Sequence, residues 1–336
     1  MLVDSTVGFD PVGIAERARE AEEDGYNGVW SPETGHDPFF PLLLAAQATE
    51  RLEVGTGIAV AFARNPMNLA MLANDLQLYS KGRFMLGLGS QIQPHIEKRF
   101  SMPWSHPAPR MREFILAMRA IWDCWQNGTK LEFRGDFYTH TLMNPFFNPG
   151  PNPYGQPRIF LAAVGETMTK VAGEVSDGLL VHGFTTRRYL EEKTLPALKR
   201  GLKLSRRKRS DVQVSYTGFV VTGDDDESMA TSANFAKAQI AFYGSTPAYR
   251  GVLELHGWGD LQGELNVLSK RGEWATMTSL IDDEMLDAFA VVAPLDKVAE
   301  AISDRFGATV DRFGFYSATA VSRETWRELI GALSAG

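Results

Sequence analysis

The sequence predicts a single α/β domain folded as a (β/α)8 TIM barrel with insertions, and three observations carry that prediction. Short apolar runs typical of buried strands alternate along the chain with the i, i+3, i+4 spacing of amphipathic helices. Eight strand candidates of this kind occur, and helical patterns separate most of them. A length of 336 residues with 44% hydrophobic content is enough for one such barrel and its core.

Five of the predicted strands lie in the first half of the chain and three in the second. Gly25 ends the first predicted helix, and Ile14, Ala18 and Ala21 lie on one of its faces. In such a barrel the loops after the strands form the active site at the carboxyl-terminal face. The predicted strands are 2–7, 26–30, 52–60, 84–88, 158–164, 178–182, 212–221 and 312–316. The predicted helices are 12–24, 41–49, 67–79, 110–126, 167–175, 188–204, 226–242 and 323–333.

We expect one domain across residues 1–336, interrupted by insertions at 91–109, 128–157 and 244–290. The second insertion alternates like a hairpin around Gly135-Asp136 and then becomes a loop rich in proline and glycine. The third is rich in tryptophan and glycine and is predicted to be helical in part. A lid, a structural role and an oligomer contact remain open for these two insertions.

Composition and charge argue against several classes of partner. The net charge of −7 gives no reason to expect nucleic acid, and the basic run Arg206 to Arg209 is interpreted as a solvated helix end. No stretch reaches the roughly 18 consecutive apolar residues of a membrane span. Cys124 is the only cysteine, and the first residues lack a secretory pattern. We therefore expect a cytoplasmic protein that binds neither nucleic acid nor membrane.

The common catalytic and nucleotide motifs do not occur in the sequence. It contains no G-x-x-x-x-G-K-[ST], no H-E-x-x-H and no G-x-S-x-G, and LGLGS at 86–90 lacks the third glycine of a dinucleotide fingerprint. A metal hydrolase on this barrel would need several convergent histidine and carboxylate ligands. Only Glu33, His36 and Asp37 cluster closely along the chain, so no metal site is predicted.

Small residues mark the ends of several predicted strands. Two glycines lie within residues 55–58, where the third strand meets its loop, and Gly87 and Gly89 leave space at the mouth of the fourth. Close packing between neighbouring elements is the competing interpretation of these glycines. After the fifth strand, residues 162–167 run directly into a helix, whose first N–H groups can bind a phosphate.

Four longer blocks of sequence carry a family resemblance. They are GVWSPETGHDPF at 28–39, LEVGTGIAVAFARNP at 52–66, GRFMLGLGSQIQPHI at 82–96 and IFLAAVGETMTKVAGEVSDGLLV at 159–181. The sequence resembles the bacterial luciferase-like flavin and deazaflavin oxidoreductases across nearly its whole length. Through PHIEKRFSMPWSHPAPRMREF at 94–114 it resembles more narrowly a subgroup assigned to coenzyme F420.

The resemblance implies where a flavin-type cofactor binds. In the family, a bulge with a non-prolyl cis peptide bond backs the central ring of the cofactor, and the matching bond here is Gly57-Ile58. Family members hold the cofactor phosphate at the start of the helix that follows strand five. A satisfied structural histidine is the alternative for His182. The implied cofactor-binding residues are Thr56, Gly57, Ile58, Gly89, Ser90, Gln91, His95, Ala163, Val164, Gly165, Glu166, His182, Gly183 and Phe184.

His36 is the candidate catalytic residue. The family carries a histidine at the matching position, beside the reactive face of the ring, and an imidazole can accept or donate a proton near neutral pH. Considered without the family, a lone histidine in such a loop is more often structural or a helix cap. Asp37 is expected at the start of the following helix, as its N-cap or in its first turn.

The resemblance implies F420-dependent hydride transfer between the deazaflavin C5 and a small organic substrate. Relatives that oxidise sugar phosphates carry a tryptophan after the histidine and a glutamate after strand four, where this chain has Phe40 and Gln91-Ile92. Phe40, Tyr243 and Trp258 are therefore expected to contact a more apolar substrate. The alternatives are an FMN-dependent monooxygenase and a non-catalytic carrier or sensor. Dimers are common in the family, so a homodimer is expected.

Overall fold

The computed structural model of the chain describes residues 1–8, 10–319 and 321–335. It confirms the predicted parallel barrel with surrounding helices and adds shorter strands outside it. The strands are β1 (Leu2–Thr6), β2 (Gly28–Ser31), β3 (Glu53–Thr56), β4 (Ala59–Val60), β5 (Phe84–Gly89), β6 (Phe133–Arg134), β7 (Thr139–His140), β8 (Arg158–Ala163), β9 (Gly178–Val181), β10 (Gln213–Val221), β11 (Ala290–Val292) and β12 (Arg312–Tyr316).

Parallel pairing closes the barrel in the order β1, β2, β3, β5, β8, β9, β10, β12 and back to β1. The closing pairs place Leu2 beside Arg312 and Ser215 beside the same Arg312. β4 continues β3 along β5 after a short break, and β11 pairs with the last three residues of β10. Strand β11 was not predicted, because three residues are too few to show a strand period.

Helices follow the strands as a βα repeat requires. The predicted helix at 188–204 is interrupted by a π-helical turn at Leu190–Thr194, and helix α13 was not predicted. The helices are α1 (Ile14–Glu23), α2 (Phe39–Ala48), α3 (Pro66–Tyr79), α4 (Pro107–Asn127), α5 (Glu166–Val175), α6 (Arg187–Tyr189), α7 (Leu195–Leu204), α8 (Asp226–Gly244), α9 (Arg250–Leu255), α10 (Leu261–Arg271), α11 (Trp274–Ser279), α12 (Asp283–Phe289), α13 (Val298–Phe306) and α14 (Arg323–Ala335).

Charged and aromatic side chains pack together in the interior of the barrel. At the amino end, the guanidinium of Arg312 donates to both carboxylate oxygens of Asp4, at 2.7 and 2.6 Å, and to Glu53. The indole of Trp30 donates to Asp4 at 2.9 Å and packs edge-on against Phe160, with ring centroids 5.5 Å apart. Alternate residues of a strand face the same side. A residue two or four positions after one of these interior residues on the same strand therefore points into the mouth at the carboxyl end of the barrel.

The insertions lie against this frame. The predicted hairpin around Gly135-Asp136 is confirmed as β6 and β7, and the carboxylate of Glu113 on α4 accepts three N–H groups of its turn. The third insertion is helical as expected, from α9 to α12, and builds a second apolar core over β9 and β10. Among the described residues no helix is long and apolar enough to cross a bilayer.

Candidate active site

A break in the third barrel strand forms a shelf at the mouth. β3 ends at Thr56 and β4 begins at Ala59, so the single strand predicted for 52–60 is wrong at this point. The peptide bond Gly57-Ile58 between them is cis, which confirms the position implied by the family resemblance. The N–H of Gly57 donates to the carbonyl of Ser31 at 2.8 Å, which ties the break to β2. We call residues 56–58 the ring shelf.

Two glycines of β5 let that strand approach the ring shelf. A Cβ at Gly87 would lie 1.8 Å from the carbonyl oxygen of Thr56, and a Cβ at Gly89 would lie 2.8 Å from Cδ1 of Ile58. The hydroxyl of Thr56 donates to the carbonyl of Gly87 at 2.7 Å. Close packing is therefore confirmed for both glycines, and it brings the Ile58 side chain against the end of β5.

An ion pair joins the ring shelf to the loop that carries His36. The backbone N–H of Glu33 donates to the carbonyl of Ile58 at 3.2 Å, and its carboxylate accepts from the N–H of Val60 at 2.7 Å. The guanidinium of Arg64 donates to the same carboxylate at 2.7 Å and lies 3.5 Å from Asp37. Arg64, which sequence reasoning did not identify, thus pairs closely with Glu33 and more loosely with Asp37, the two carboxylates nearest His36 in sequence.

His36 itself is exposed, in the loop between β2 and α2. It shares a small cavity with Asp10 and Ser31, between the loops that follow β1 and β2. Asp37 lies one position before the N-cap Pro38, so the prediction that it is the N-cap or a first-turn residue is wrong by one residue, although its carboxylate does accept the N–H of Phe39 at 2.9 Å. Phe40 is 72% exposed in the first turn of α2, and its contact with a substrate stays a prediction.

Polar side chains follow β5 as predicted, but they bond to one another. Gln91 adopts φ of 59°, and its side-chain oxygen lies 3.1 Å from Nδ1 of His95. The hydroxyl of Ser90 donates to the carbonyl of Gln91 at 3.1 Å. His95 is exposed in a π-helical turn at His95–Arg99. Its contact with a cofactor stays a prediction.

The start of α5 has the character of an anion site. Ala163 ends β8 and Gly165 is the N-cap of α5, whose first N–H groups donate to no described side chain. A Cβ at Gly165 would meet no atom within 4 Å, so the space before the helix is open. The guanidinium of Arg200 pairs with Glu166 in the first turn at 2.5 Å. Free N–H groups and a helix dipole suit a phosphate group, whereas the charge of Arg200 is matched by Glu166.

His182 follows β9 and is held on both ring nitrogens. Its Nδ1 accepts the N–H of Phe184 at 3.0 Å, and its Nε2 lies 3.1 Å from the hydroxyl of Tyr249. Burial lowers the pKa of His182 to about 4, so the ring is neutral near pH 7. The structure therefore supports the alternative of a satisfied histidine. Tyr249 was not among the predicted site residues.

The other aromatic residues predicted here divide into two groups. Tyr243 reaches the mouth, with its ring 4.9 Å from that of His182. Phe184 is fully buried against Phe289, at 4.6 Å between ring centroids, which leaves its backbone and not its ring for a ligand. Trp258 stacks on His256 at 4.7 Å inside the third insertion, so its observed contacts are those of packing.

The mouth thus has two sides. The ring shelf, the glycines of β5 and the start of α5 form one side from backbone and small residues, while His182, Gly183 and the tyrosines form the other. The family resemblance implies that the cofactor binds on the first side, and that placement stays a prediction. Within the described ranges, no three His, Cys, Asp or Glu side chains come together as a metal site would require.

Comparison with known proteins agrees with this geometry. Residues 3–312 match the family model described as luciferase-like monooxygenase. An uncharacterized protein of Mycobacterium tuberculosis is 60% identical over 312 residues, covering 93% of this chain and 92% of that protein. The 5,10-methylenetetrahydromethanopterin reductase of Methanolobus tindarius is 28% identical over 329 residues, covering 96% and 95%. The solved coenzyme F420 dependent tetrahydromethanopterin reductase from Methanopyrus kandleri superposes with a TM-score of 0.79 at 20% identity, covering 98% of this chain and 96% of that one.

Fold and sequence together define the class, an oxidoreductase built on a TIM barrel. Within that class, the chain belongs to the luciferase-like family.

Proposed function

We propose that this protein is a coenzyme F420-dependent oxidoreductase that acts on a small, apolar organic substrate. The observation that carries the proposal is the meeting of three features at one side of the mouth. They are the ring shelf, the close glycines of β5 and the open start of α5. A putative coenzyme F420-dependent oxidoreductase of Mycobacterium tuberculosis, 28% identical over 341 residues that cover 95% of this chain and 94% of that protein, supports the deazaflavin as the cofactor.

The proposed roles follow from chemistry at each place. Thr56 to Ile58 would back the ring, and the N–H groups at the start of α5 would hold the phosphate of its side chain. When bound, the deazaflavin gives or accepts a hydride at C5. His36 would exchange a proton with the substrate through its imidazole, because the loop that carries it is fixed to the ring shelf through Glu33.

An FMN-dependent monooxygenase is the second candidate function. The description of the matching family model, luciferase-like monooxygenase, favours it, and FMN shares the tricyclic ring and the phosphate. The ring shelf and the start of α5 would serve either cofactor in the same way. The choice between them therefore needs a direct binding measurement.

Titration of the purified protein with each cofactor tests the proposal. We expect F420 fluorescence to change saturably, with FMN binding at least about tenfold more weakly. Gly89→Val is expected to weaken F420 binding, because a branched side chain there would displace Ile58 from the ring shelf. The matched control is Gly263→Ala, where a Cβ meets no atom within 4 Å. Tighter binding of FMN than of F420 would overturn the assignment in favour of the monooxygenase.

A further inference from the structure

The side of the mouth opposite the ring shelf is an aromatic wall whose members come from distant parts of the chain. His182 follows β9, Tyr316 ends β12, Tyr243 lies in the last turn of α8, and Tyr249 belongs to the turn Pro247–Tyr249. Leu180 packs in the interior layer with Trp30, so His182, two residues further on, faces the same way. Tyr316, four residues beyond the interior Arg312, also faces the mouth.

The hydrogen bonds of this wall can be assigned proton by proton. Because Nδ1 of His182 accepts the N–H of Phe184, the proton of the neutral ring lies on Nε2 and is donated to the Tyr249 oxygen at 3.1 Å. Tyr316 donates to the side-chain oxygen of Gln239 at 2.8 Å, so its oxygen accepts from Tyr243 at 3.4 Å. The hydroxyl proton of Tyr249 is then left without an acceptor among the described residues.

The wall carries no formal charge. Burial lowers the pKa of His182 to about 4, and burial together with Tyr243 raises the pKa of Tyr249 to about 12. Two fully buried phenylalanines pack against these tyrosines: the ring of Phe184 lies 5.7 Å from that of Tyr249, and the ring of Tyr316 stacks on Phe219 at 4.9 Å. A charged group brought here would lose water without gaining a counter-ion, whereas a neutral acceptor would gain the free O–H.

We infer that the hydroxyl of Tyr249 is a substrate-recognition donor, and that the substrate class is an uncharged carbonyl compound with apolar flanks. The carbonyl oxygen accepts a hydrogen bond from the Tyr249 hydroxyl, while the ring of Tyr243 packs beside its apolar part. His182 acts as a positioning residue. Its Nε2–H donates to the Tyr249 oxygen, so the hydroxyl proton of Tyr249 points away from His182 and is available to the substrate. The inference rests on the proposed function, because it takes this mouth to be the substrate site.

Binding of a neutral ketone and a matched carboxylate tests this inference. Acetophenone and benzoate have nearly the same shape, and their binding to the F420-loaded protein is measured by ligand-observed saturation-transfer NMR. We expect the ketone to bind and the carboxylate to bind more weakly. In Tyr249→Phe we expect the ketone dissociation constant to rise roughly twofold to tenfold, the effect of one neutral hydrogen bond. Tyr79→Phe, at an exposed tyrosine on α3, is the matched control and is expected to change neither value.

Three outcomes would overturn the inference: no ketone binding to the loaded wild type, equal or tighter binding of benzoate, or an unchanged ketone constant in Tyr249→Phe. The preference of the wild type for ketone over carboxylate needs no variant, so a folding defect in Tyr249→Phe leaves the inference testable. F420 fluorescence recorded on the same samples separates the two hypotheses. If the wild type does not bind F420, the proposed function is contradicted. If it binds F420 and any of the three outcomes is observed, only the role of Tyr249 is contradicted.

Discussion

Glu33 connects two loops that must keep a fixed distance for the proposed chemistry. Its side chain is 7% exposed, and its carboxylate accepts hydrogen bonds from the N–H of Val60 and the guanidinium of Arg64. A buried carboxylate with a charged partner and a backbone donor is held far more firmly than a solvated one. The side chain therefore determines where His36 stands relative to the ring shelf, without itself reaching a substrate.

Removing the charge of Glu33 is expected to loosen this connection. In Glu33→Gln we expect the free energy of unfolding to fall by about 1.5 to 3 kcal/mol, since a charge-assisted hydrogen bond to Arg64 is lost, and the dissociation constant for F420 to rise. Urea denaturation and cofactor titration measure the two effects. Glu254→Gln serves as control, because its pair with Arg250 is on the surface and contributes little. Equal losses in the two variants would contradict the positioning role.

Sequence reasoning at the residue scale succeeded where residues act within one segment. The cis bond at Gly57-Ile58 was located because its motif is continuous in sequence. Arg64 was missed because it meets Glu33 across 31 residues, and Tyr249 was missed because it meets His182 across 67. One signal was present: an acidic residue at the end of a buried strand needs a cation, and Arg64 follows the next buried strand.

At the scale of elements, α2 and α3 present an apolar face to solvent. Phe40 and Leu44 lie one turn apart on α2, and Met71 and Leu78 lie two turns apart on α3, all of them exposed. The two helices are neighbours in the ring around the barrel. Large apolar side chains exposed on neighbouring elements are typical of protein interfaces. We propose that the face is covered by the same face of a second copy, which gives the expected homodimer.

Charge placed on this face is expected to separate the subunits. The double variant Leu44→Glu, Leu78→Glu should elute as a monomer, because two carboxylates would face two others across the symmetry axis. Light scattering coupled to size exclusion measures the mass. Val267→Glu, at a similarly exposed residue on α10, should leave the mass unchanged. A wild type that is already monomeric at micromolar concentration would contradict the proposal.

Elements with a clear period were predicted, and short or irregular ones were not. The eight barrel strands and their helices were placed within a few residues, because each buries a face whose spacing is readable. The helix α13 was missed within a stretch assigned no element, and β11 depends on pairing with β10 rather than on its own pattern. The break in 52–60 could not be read from apolar spacing, since both halves are buried.

For the whole molecule, closure of the barrel depends on charges buried inside it. Arg312 on the last strand is 0% exposed and pairs with Asp4 on the first, whose side chain is 2% exposed. Glu53 on β3 joins the same guanidinium, and Arg158 on β8 pairs with Glu53. The network thus spans the interior and links the two ends of the sheet. Gly28 makes room for it, since a Cβ there would lie 2.7 Å from the Arg312 guanidinium.

Neutralising Asp4 is expected to destabilise the barrel as a whole. Asp4→Asn leaves the buried Arg312 with one partner fewer, and we expect the free energy of unfolding to fall by about 3 to 5 kcal/mol. The urea midpoint measures this change. Asp283→Asn is the control, because that carboxylate is 92% exposed in its pair with Lys237 and should cost less than about 1 kcal/mol. A similar midpoint shift in both variants would show that closure does not depend on the network.

The approach of Gly87 to the Thr56 carbonyl has a consequence for how such proteins diverge. Any side chain at position 87 collides through its first carbon, in every rotamer, so selection there follows from backbone geometry alone. Tyr243 and Tyr249 come instead from the outgoing helix and the connection that follows it, where exchanges leave the barrel strands untouched. In related enzymes, the side of the mouth around position 87 should therefore vary little, whereas the side formed by Tyr243 and Tyr249 can vary. New substrate specificities should arise mainly through substitutions on the side of Tyr243 and Tyr249.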